Sequence, residues 1–248
     1  MGTVVTFDAY YLEDADLDVH AERGLAAAVA DLHFVDRQFS TWRHDSPLSR
    51  LRRGDAGLAE MPSELHAVLD ACRTARDRSG GWFDPWTLPG GVDPTGYVKG
   101  WAAQRALARF VTPWMLGAIV NAAGDVATHG RPSLGLPFRV GVTDPGSPDR
   151  LASVVESPGA VATSGSYERG NHFIDPFTGE SVSRAASATV CGEDLGLCDA
   201  LATGLCVGGA TALSNLEDLD GYEALVIGFD RTWTWTTSFP FAPEHRPR

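Results

Sequence analysis

Two polar side chains lie one helical turn apart in an otherwise apolar segment of the sequence. Asp199 and Thr203 belong to the run DALAT, inside residues 197–207, which we predict to be helical. The spacing i, i+4 places a carboxylate and a hydroxyl on one face of that helix. Both are hard oxygen donors of the kind that Mg²⁺ prefers. Alternatively, Asp199 caps the helix and Thr203 bonds back to the carbonyl of residue 199.

A turn that leads into a helix forms a second candidate site, in Asp93-Pro-Thr-Gly-Tyr-Val-Lys-Gly100. The first amides of a helix are free and its dipole is positive at that end, which suits an anion such as phosphate. Gly96 permits close approach of a ligand, and Asp93 can cap the helix or bind a hydroxyl or a ring N–H. Lys99 is the sole lysine of the chain and adds a cation one turn later. The same residues also fit an ordinary turn and cap.

A third polar cluster surrounds a histidine, in Ser164-Gly-Ser-Tyr-Glu-Arg169 and Asn171-His172-Phe-Ile-Asp175. His172 could exchange a proton near neutral pH. The alternative is an exposed hairpin whose histidine has no chemical role.

Aromatic residues accompany these segments. Planar ligands such as flavin or adenine stack on exposed rings, although rings at such spacings usually belong to a core. Trp42 is the least typical of a core, because it follows a polar loop start and precedes Arg43, His44 and Asp45. The other rings considered are Trp82, Phe83, Trp86 and Trp101.

The charge balance limits the partners of the protein. The 248 residues include 20 basic and 32 acidic side chains, a net charge of −12. This excess argues against broad contact with nucleic acid or anionic lipid, and it requires a metal or a local cation for any anionic substrate. No apolar run approaches the ~20 residues of a spanning helix, and no signal peptide is visible near Met1. Four cysteines without zinc-like spacing favour reduced thiols and a cytoplasmic location.

The hydropathy pattern predicts an α+β fold with a mostly antiparallel sheet and packed helices, because many strands are joined by short turns. We expect one domain over residues 1–240 and a flexible tail over 241–248. Predicted helices cover residues 21–39, 63–78, 197–207 and 212–219, and a further helix begins near Gly96 or Tyr97 and includes residues 98–108. Predicted strands lie near residues 3–12, 118–122, 138–143, 154–155, 160–163, 187–191, 222–229 and 232–238.

Several common templates are absent. No G-x-G-x-x-G follows a strand, and Tyr97 occupies the position where a Walker A lysine would lie after Gly91-Val-Asp-Pro-Thr-Gly96. His20-Ala-Glu22 lacks the P-C-x-x-C partner of zinc deaminases, and no G-x-S-x-G elbow occurs.

Taken in order, the motifs resemble those of the ApbE family of FAD:protein FMN transferases. The resemblance covers about Met1 to Gly228 and rests on the following segments: MGT, FSTW with SPLSRL, GWFDP, DPTGYVKGWAAQRA, NAAGDV, ATSGSYER with HFIDPFTG, and DALAT. It implies an ApbE-like α+β unit, FAD as flavin donor, Mg²⁺, and transfer of FMN to a Ser or Thr hydroxyl of an acceptor protein with release of AMP.

The resemblance also implies roles for individual residues. Those expected to contact FAD are Met1, Trp42, Trp82, Phe83, Asp84, Asp93, Lys99, His172 and Ile174. Those expected to hold the metal are Asp199, Thr203 and the carbonyl of Gly96, with His172 and Asp199 expected to be catalytic. Three departures stand out: Trp42 replaces a frequent tyrosine, the segment from Trp86 to Asp93 is short, and the lipoprotein signal of many members is not seen.

Other functions remain open from the sequence. The same donor site would serve an FAD pyrophosphatase that uses water as acceptor. A non-catalytic flavin-binding protein would be expected to have lost Asp199, Thr203 or His172, and all are present. A plain interaction domain with an acidic face would show no response to FAD.

Overall fold

A seven-stranded antiparallel sheet forms the centre of the fold in the computed structural model, which describes residues 2–11, 18–165 and 173–247. Its strand order is β1-β2-β3-β6-β7-β8-β9, and β4 pairs with β5 in a separate hairpin. The strands are β1 (Val5–Tyr10), β2 (Gly117–Ala122), β3 (Asp125–Gly130), β4 (Arg139–Asp144), β5 (Ser147–Glu156), β6 (Ala160–Gly165), β7 (Ser187–Gly192), β8 (Glu223–Ile227) and β9 (Trp233–Trp235). The predicted α+β class with antiparallel strands is confirmed.

Helices cover one face of this sheet. They are α1 (Asp18–Phe39), α2 (Pro47–Arg53), α3 (Ser63–Arg78), α4 (Thr95–Phe110), α5 (Leu195–Gly208) and α6 (Ala210–Glu217), with short 3₁₀ turns at Leu58–Glu60 and Pro243–His245. Within the described ranges, no helix combines the length and apolar character that a membrane crossing requires.

The central strands are buried on both faces, and their side chains alternate between two cores. On β8, Ala224 and Val226 pack toward the helices, whereas Leu225 and Ile227 pack toward the β4–β5 hairpin. Strand β7 is buried along its whole length. Its sequence, SATVCG, accordingly has no charged residue, and its two hydroxyl side chains, Ser187 and Thr189, are both buried. The sheet is therefore the middle layer, between the helices and the hairpin.

Helix α5 is the most deeply buried helix of the described structure. All of its residues are buried except Thr203, as expected of a helix that is apolar on every side. Small residues allow its neighbours to approach: a Cβ on Gly100 of α4 would lie 2.3 Å from the Leu195 carbonyl oxygen, and a Cβ on Gly208 would lie 2.6 Å from the Trp82 ring. Two polar side chains on this helix, Asp199 and Thr203, are therefore held in a rigid setting.

The segment predicted as a tail begins with residues that contact β5. Phe241 pairs with Val155 in an isolated bridge, and the Ala242 N–H donates to the Val154 carbonyl at 2.9 Å. The rings of Phe239 and Phe241 lie 4.7 Å apart, and Ala242 is fully buried. Burial of these apolar groups fixes the chain against β5 as far as His245, whose carbonyl accepts a bond from Ser153.

Candidate active site

One cavity of about 400 Å³ opens between the start of α4, the middle of α5 and the loop that follows α3. Every predicted site residue that the structure describes lines it: Trp42, Trp82, Phe83, Asp84, Asp93, Gly96, Lys99, Ile174, Asp199 and Thr203. Met1 and His172, the other two, lie outside the described residues. Residues separated by more than 150 positions in the sequence thus meet at a single place.

Three residues that carry oxygen donors, Asp199, Thr203 and Gly96, line one side of this cavity, which we call its floor. Asp199 is buried, and its Oδ2 accepts the Gly100 N–H at 3.1 Å, which holds the carboxylate against α4. Thr203 lies one turn later on the same face, and a Cβ on Gly96 would lie 3.4 Å from its Oγ1. The Gly96 backbone is therefore adjacent to both the hydroxyl and the cavity. A carboxylate, a hydroxyl and a backbone carbonyl suit a hard divalent cation.

The capping alternative for Asp199 is excluded by the geometry. Asp194 is the N-cap of α5, because its Oδ1 accepts the Leu197 N–H at 2.9 Å. Asp199 lies beyond the first turn and interacts across the helix–helix contact instead. Thr203 Oγ1 lies 3.4 Å from the Ser164 hydroxyl on β6. Both polar groups thus point away from their own helix backbone and toward neighbouring elements.

Lys99 forms a buried ion pair that the sequence does not predict. Its Nζ lies 3.1 Å from Oδ2 of Asp125, a fully buried residue at the start of β3. Burial raises the pKa of Asp125 well above its usual range, the Asp199 carboxylate raises that pKa further, and the Lys99 ammonium opposes both. The ammonium thus lies between the cavity and a carboxylate behind it, rather than facing a ligand alone. Asp125 belongs to the NAAGDV motif, where an acidic residue amid apolar ones is the available signal.

Asp93 is held by a second unpredicted partner. Its Oδ2 lies 2.6 Å from Nη1 of Arg52 on α2, and its Oδ1 accepts the Thr95 N–H at 3.1 Å. Arg52 also donates to the carbonyls of Pro89 and Val92. The arginine therefore fixes the short loop before α4 as well as the carboxylate. Asp93 thus caps the first amide of α4 from the position before Pro94, which lies at the N-cap and has no capping side chain of its own.

The Trp82-Phe83-Asp84 segment forms one wall of the cavity. Phe83 is buried, and its ring packs on Gly96. Asp84 is largely engaged within the protein: Oδ1 accepts the Trp86 N–H at 2.9 Å and Oδ2 pairs with Arg76 at 2.7 Å. Its observed contacts stabilise the loop that presents the two rings.

Trp42 and Ile174 lie at the opening. The Trp42 side chain is 96% exposed although it lines the cavity, which makes its ring available for stacking. Ile174 lies in a short bridge with Ser181, on a turn that closes through the Gly179 N–H and the Asp175 carbonyl. The cavity therefore combines an apolar wall, an exposed ring and a polar floor.

Sequence comparison identifies the relationship of the chain to known proteins. The sequence model of the ApbE family matches residues 1–89 and 88–226. The chain belongs to the ApbE family. Two curated proteins named FAD:protein FMN transferase, from Rhodobacter capsulatus and Vibrio cholerae, are 35% and 31% identical over 144 and 147 residues, or 54% and 55% of this chain. The aligned regions span only 27% and 44% of those longer proteins.

Solved ApbE structures share the fold over nearly the whole chain. The flavin transferase ApbE of Vibrio cholerae superimposes with a TM-score of 0.79 at 22% identity, covering 96% of this chain and 95% of that one. The flavinyl transferase ApbE of Pseudomonas stutzeri gives 0.78 at 22% identity, with coverages of 96% and 93%. The ApbE protein of Thermotoga maritima gives 0.76 at 21% identity, with coverages of 95% and 93%. At these identities the superpositions establish an ApbE fold.

Proposed function

We propose that this chain is an FAD:protein FMN transferase that moves FMN from FAD to a Ser or Thr hydroxyl of an acceptor protein and releases AMP. The observation that carries the proposal is the convergence, in one cavity, of a hard-oxygen floor, a lysine and a wall of aromatic rings. Membership of the ApbE family and the names of the two curated relatives support it.

The proposed chemistry is a phosphoryl-type transfer. The acceptor hydroxyl attacks the FMN-side phosphorus, a new P–O bond forms, and the bond from that phosphorus to the bridging oxygen breaks. AMP leaves with the bridging oxygen, and His172 is proposed to take the hydroxyl proton. Such transfers depend on positioning and charge stabilisation more than on covalent participation by the enzyme.

Mg²⁺ is the proposed metal, and the donor set fits it. Asp199, Thr203 and the Gly96 carbonyl would hold it, since the three residues line the cavity and Gly96 packs beside Thr203. A bound Mg²⁺ supplies charge neutralisation and polarises a phosphoryl oxygen. The acidic chain needs such neutralisation to hold a diphosphate. Lys99, kept in place by Asp125, contributes a further positive charge beside it.

The cytoplasm is the proposed location. The four cysteines, Cys72, Cys191, Cys198 and Cys206, are buried free thiols, a state that a reducing compartment maintains.

Trp42 provides a test of the ring-stacking part of the proposal. We expect Trp42→Ala to weaken FAD binding about 10-fold, because an aromatic stacking contact contributes roughly 0.5–1.5 kcal/mol. The free energy of unfolding should change by less than about 0.5 kcal/mol, because the side chain is exposed. Flavin fluorescence titration and urea denaturation measure the two quantities. Trp42→Phe, which retains a ring, is the control and should bind FAD nearly as well as wild type; unchanged affinity in Trp42→Ala would contradict the role.

The function itself is tested in two reactions. Co-expression with candidate flavoprotein acceptors, followed by in-gel flavin fluorescence, should reveal a covalently labelled band that disappears when Mg²⁺ is chelated. Incubation with FAD and Mg²⁺ alone should release little AMP. Rapid formation of free FMN and AMP without an acceptor would instead establish the pyrophosphatase. Absence of any FAD binding would overturn both.

A further inference from the structure

Arg184 lies behind the cavity wall and contacts three separate segments. One terminal nitrogen of its guanidinium donates to Asp175 Oδ2 at 2.7 Å, and the other donates to the Val207 carbonyl at 2.6 Å. Its Cζ lies 5.5 Å from the centre of the Trp82 ring, within cation–π range. A planar guanidinium can satisfy all three directions at once, whereas an ammonium cannot reproduce this fork.

Each partner of Arg184 belongs to a different part of the cavity lining. Trp82 and Val207 line the cavity directly, and Asp175 follows Ile174, which also lines it. The buried Asp175 organises its own turn, because Oδ1 accepts the Phe177 N–H at 2.9 Å. The ring of Phe177 then meets the Trp82 ring edge-on at 4.8 Å. The pocket loop, the turn of Ile174 and the end of α5 are thus joined through one side chain that is itself outside the lining.

We propose that Arg184 is a positioning residue that holds the Trp82 ring and the Ile174 turn against α5, and thereby sets the affinity of the cavity for the flavin ring of FAD. The inference rests on the proposed function, because it names the flavin as the group on that wall. Asp199, Thr203 and Lys99, on the polar floor, do not contact Arg184 in any of these interactions. Arg184 should therefore affect binding of the ring and leave binding of the diphosphate and adenosine unchanged.

The test compares two ligands that differ by the flavin. In Arg184→Lys, we expect the Kd for FAD to rise about 10-fold and the Kd for ADP, which lacks the isoalloxazine ring, to stay within about 2-fold of wild type. The transfer rate at saturating FAD should also stay within about 2-fold, so that the effect appears in KM. Isothermal titration measures the affinities, and in-gel fluorescence follows transfer.

A matched pair elsewhere in the fold supplies the control. Arg105 donates two bonds to Asp31, at 2.9 and 2.6 Å, and lies over the Trp101 ring at 4.6 Å, outside the cavity lining. Arg105→Lys changes the same chemistry and should alter thermal stability without altering the Kd for FAD. Asp175→Asn, a near-isosteric change, should reproduce the selective loss. The double variant should raise the Kd for FAD little beyond either single variant, because both substitutions weaken the same contact between Arg184 and Asp175.

The possible results distinguish the positioning role of Arg184 from the proposed transferase function. Equal weakening of FAD and ADP in Arg184→Lys, or no weakening of either, would overturn the positioning role while wild type still binds FAD. Failure of the wild-type protein to bind FAD would overturn the proposed function and this inference together.

Discussion

Replacing Asp199 with asparagine is expected to reduce FMN transfer at saturating Mg²⁺ by about 10³-fold, since a catalytic metal contributes several kcal/mol and each 1.36 kcal/mol is tenfold in rate. Asparagine keeps an oxygen that can accept the Gly100 N–H, so the contact between α4 and α5 survives. The fold should therefore remain intact. Initial rates of AMP release in the presence of an acceptor protein, across a range of Mg²⁺ concentrations, measure the first effect, and thermal unfolding measures the second.

Asp194→Asn is the matched control on the same helix. Asp194 caps α5 and does not line the cavity. Its replacement by another good N-cap residue should change stability by less than about 1 kcal/mol and the rate by less than about 2-fold. Full transfer activity in Asp199→Asn would contradict the assignment of the metal site.

Removing the charge of Lys99 should lower both the unfolding free energy and the transfer rate, and the two losses have different causes. Lys99→Met leaves the buried Asp125 carboxylate without the ammonium that lies 3.1 Å away. Loss of the ammonium should raise the pKa of Asp125 further, and the unfolding free energy should fall by at most about 3–5 kcal/mol, because the carboxyl can take up a proton. Loss of one charge beside the reacting phosphates should also slow transfer by about 10²-fold. Urea denaturation measures the first change, and AMP release in the presence of an acceptor protein measures the second.

The double variant Lys99→Met/Asp125→Asn distinguishes the two roles of the pair. Neutralising both members removes the unpaired buried charge, so most of the lost stability should return. The transfer rate should stay low, because the positive charge near the diphosphate is still missing. Recovery of activity along with stability would show that Lys99 acts only through the fold.

Local sequence patterns predict several of the elements that position the site, α3 and α5 among them. The amphipathic pattern of α3 indicates both of its ends, and the i, i+4 pair of Asp199 and Thr203 on α5 indicates the polar floor of the cavity. These features are short-range, because one helical turn determines which side chains share a face. The order of the ApbE motifs then indicates which segments belong together.

One hairpin shows why local patterns also fail. The glycine at Gly124-Asp125 predicts the end of β2, but β3 begins directly there and runs back along it. The turn uses two positive φ values, 50° at Ala123 and 94° at Gly124, and alanine is an unusual residue for that conformation. The Asn121 side chain stabilises the turn by accepting the Gly124 N–H at 2.9 Å. The strand that the sequence did not predict is β3, and it places Asp125 beside Lys99.

The ion pairs behind the cavity wall also could not be predicted from the sequence. Arg52 forms an ion pair with Asp93. Arg184 forms an ion pair with Asp175, which lies on the other side of the turn that follows Ile174. In a chain with 19 arginines besides its single lysine, nothing local distinguishes these arginines from solvated ones. Their partners depend on how α2, the pocket loop and the Ile174 turn pack together.

The proposed function requires a divalent cation bound to Asp199, Thr203 and the Gly96 carbonyl beside the diphosphate of FAD. Its most direct test is an anomalous difference map from crystals grown with FAD and Mn²⁺, which scatters anomalously in place of Mg²⁺. We expect one strong peak about 2.0–2.3 Å from the oxygens of these three residues and in contact with the diphosphate. A peak elsewhere, or FAD bound with no peak among these oxygens, would contradict it.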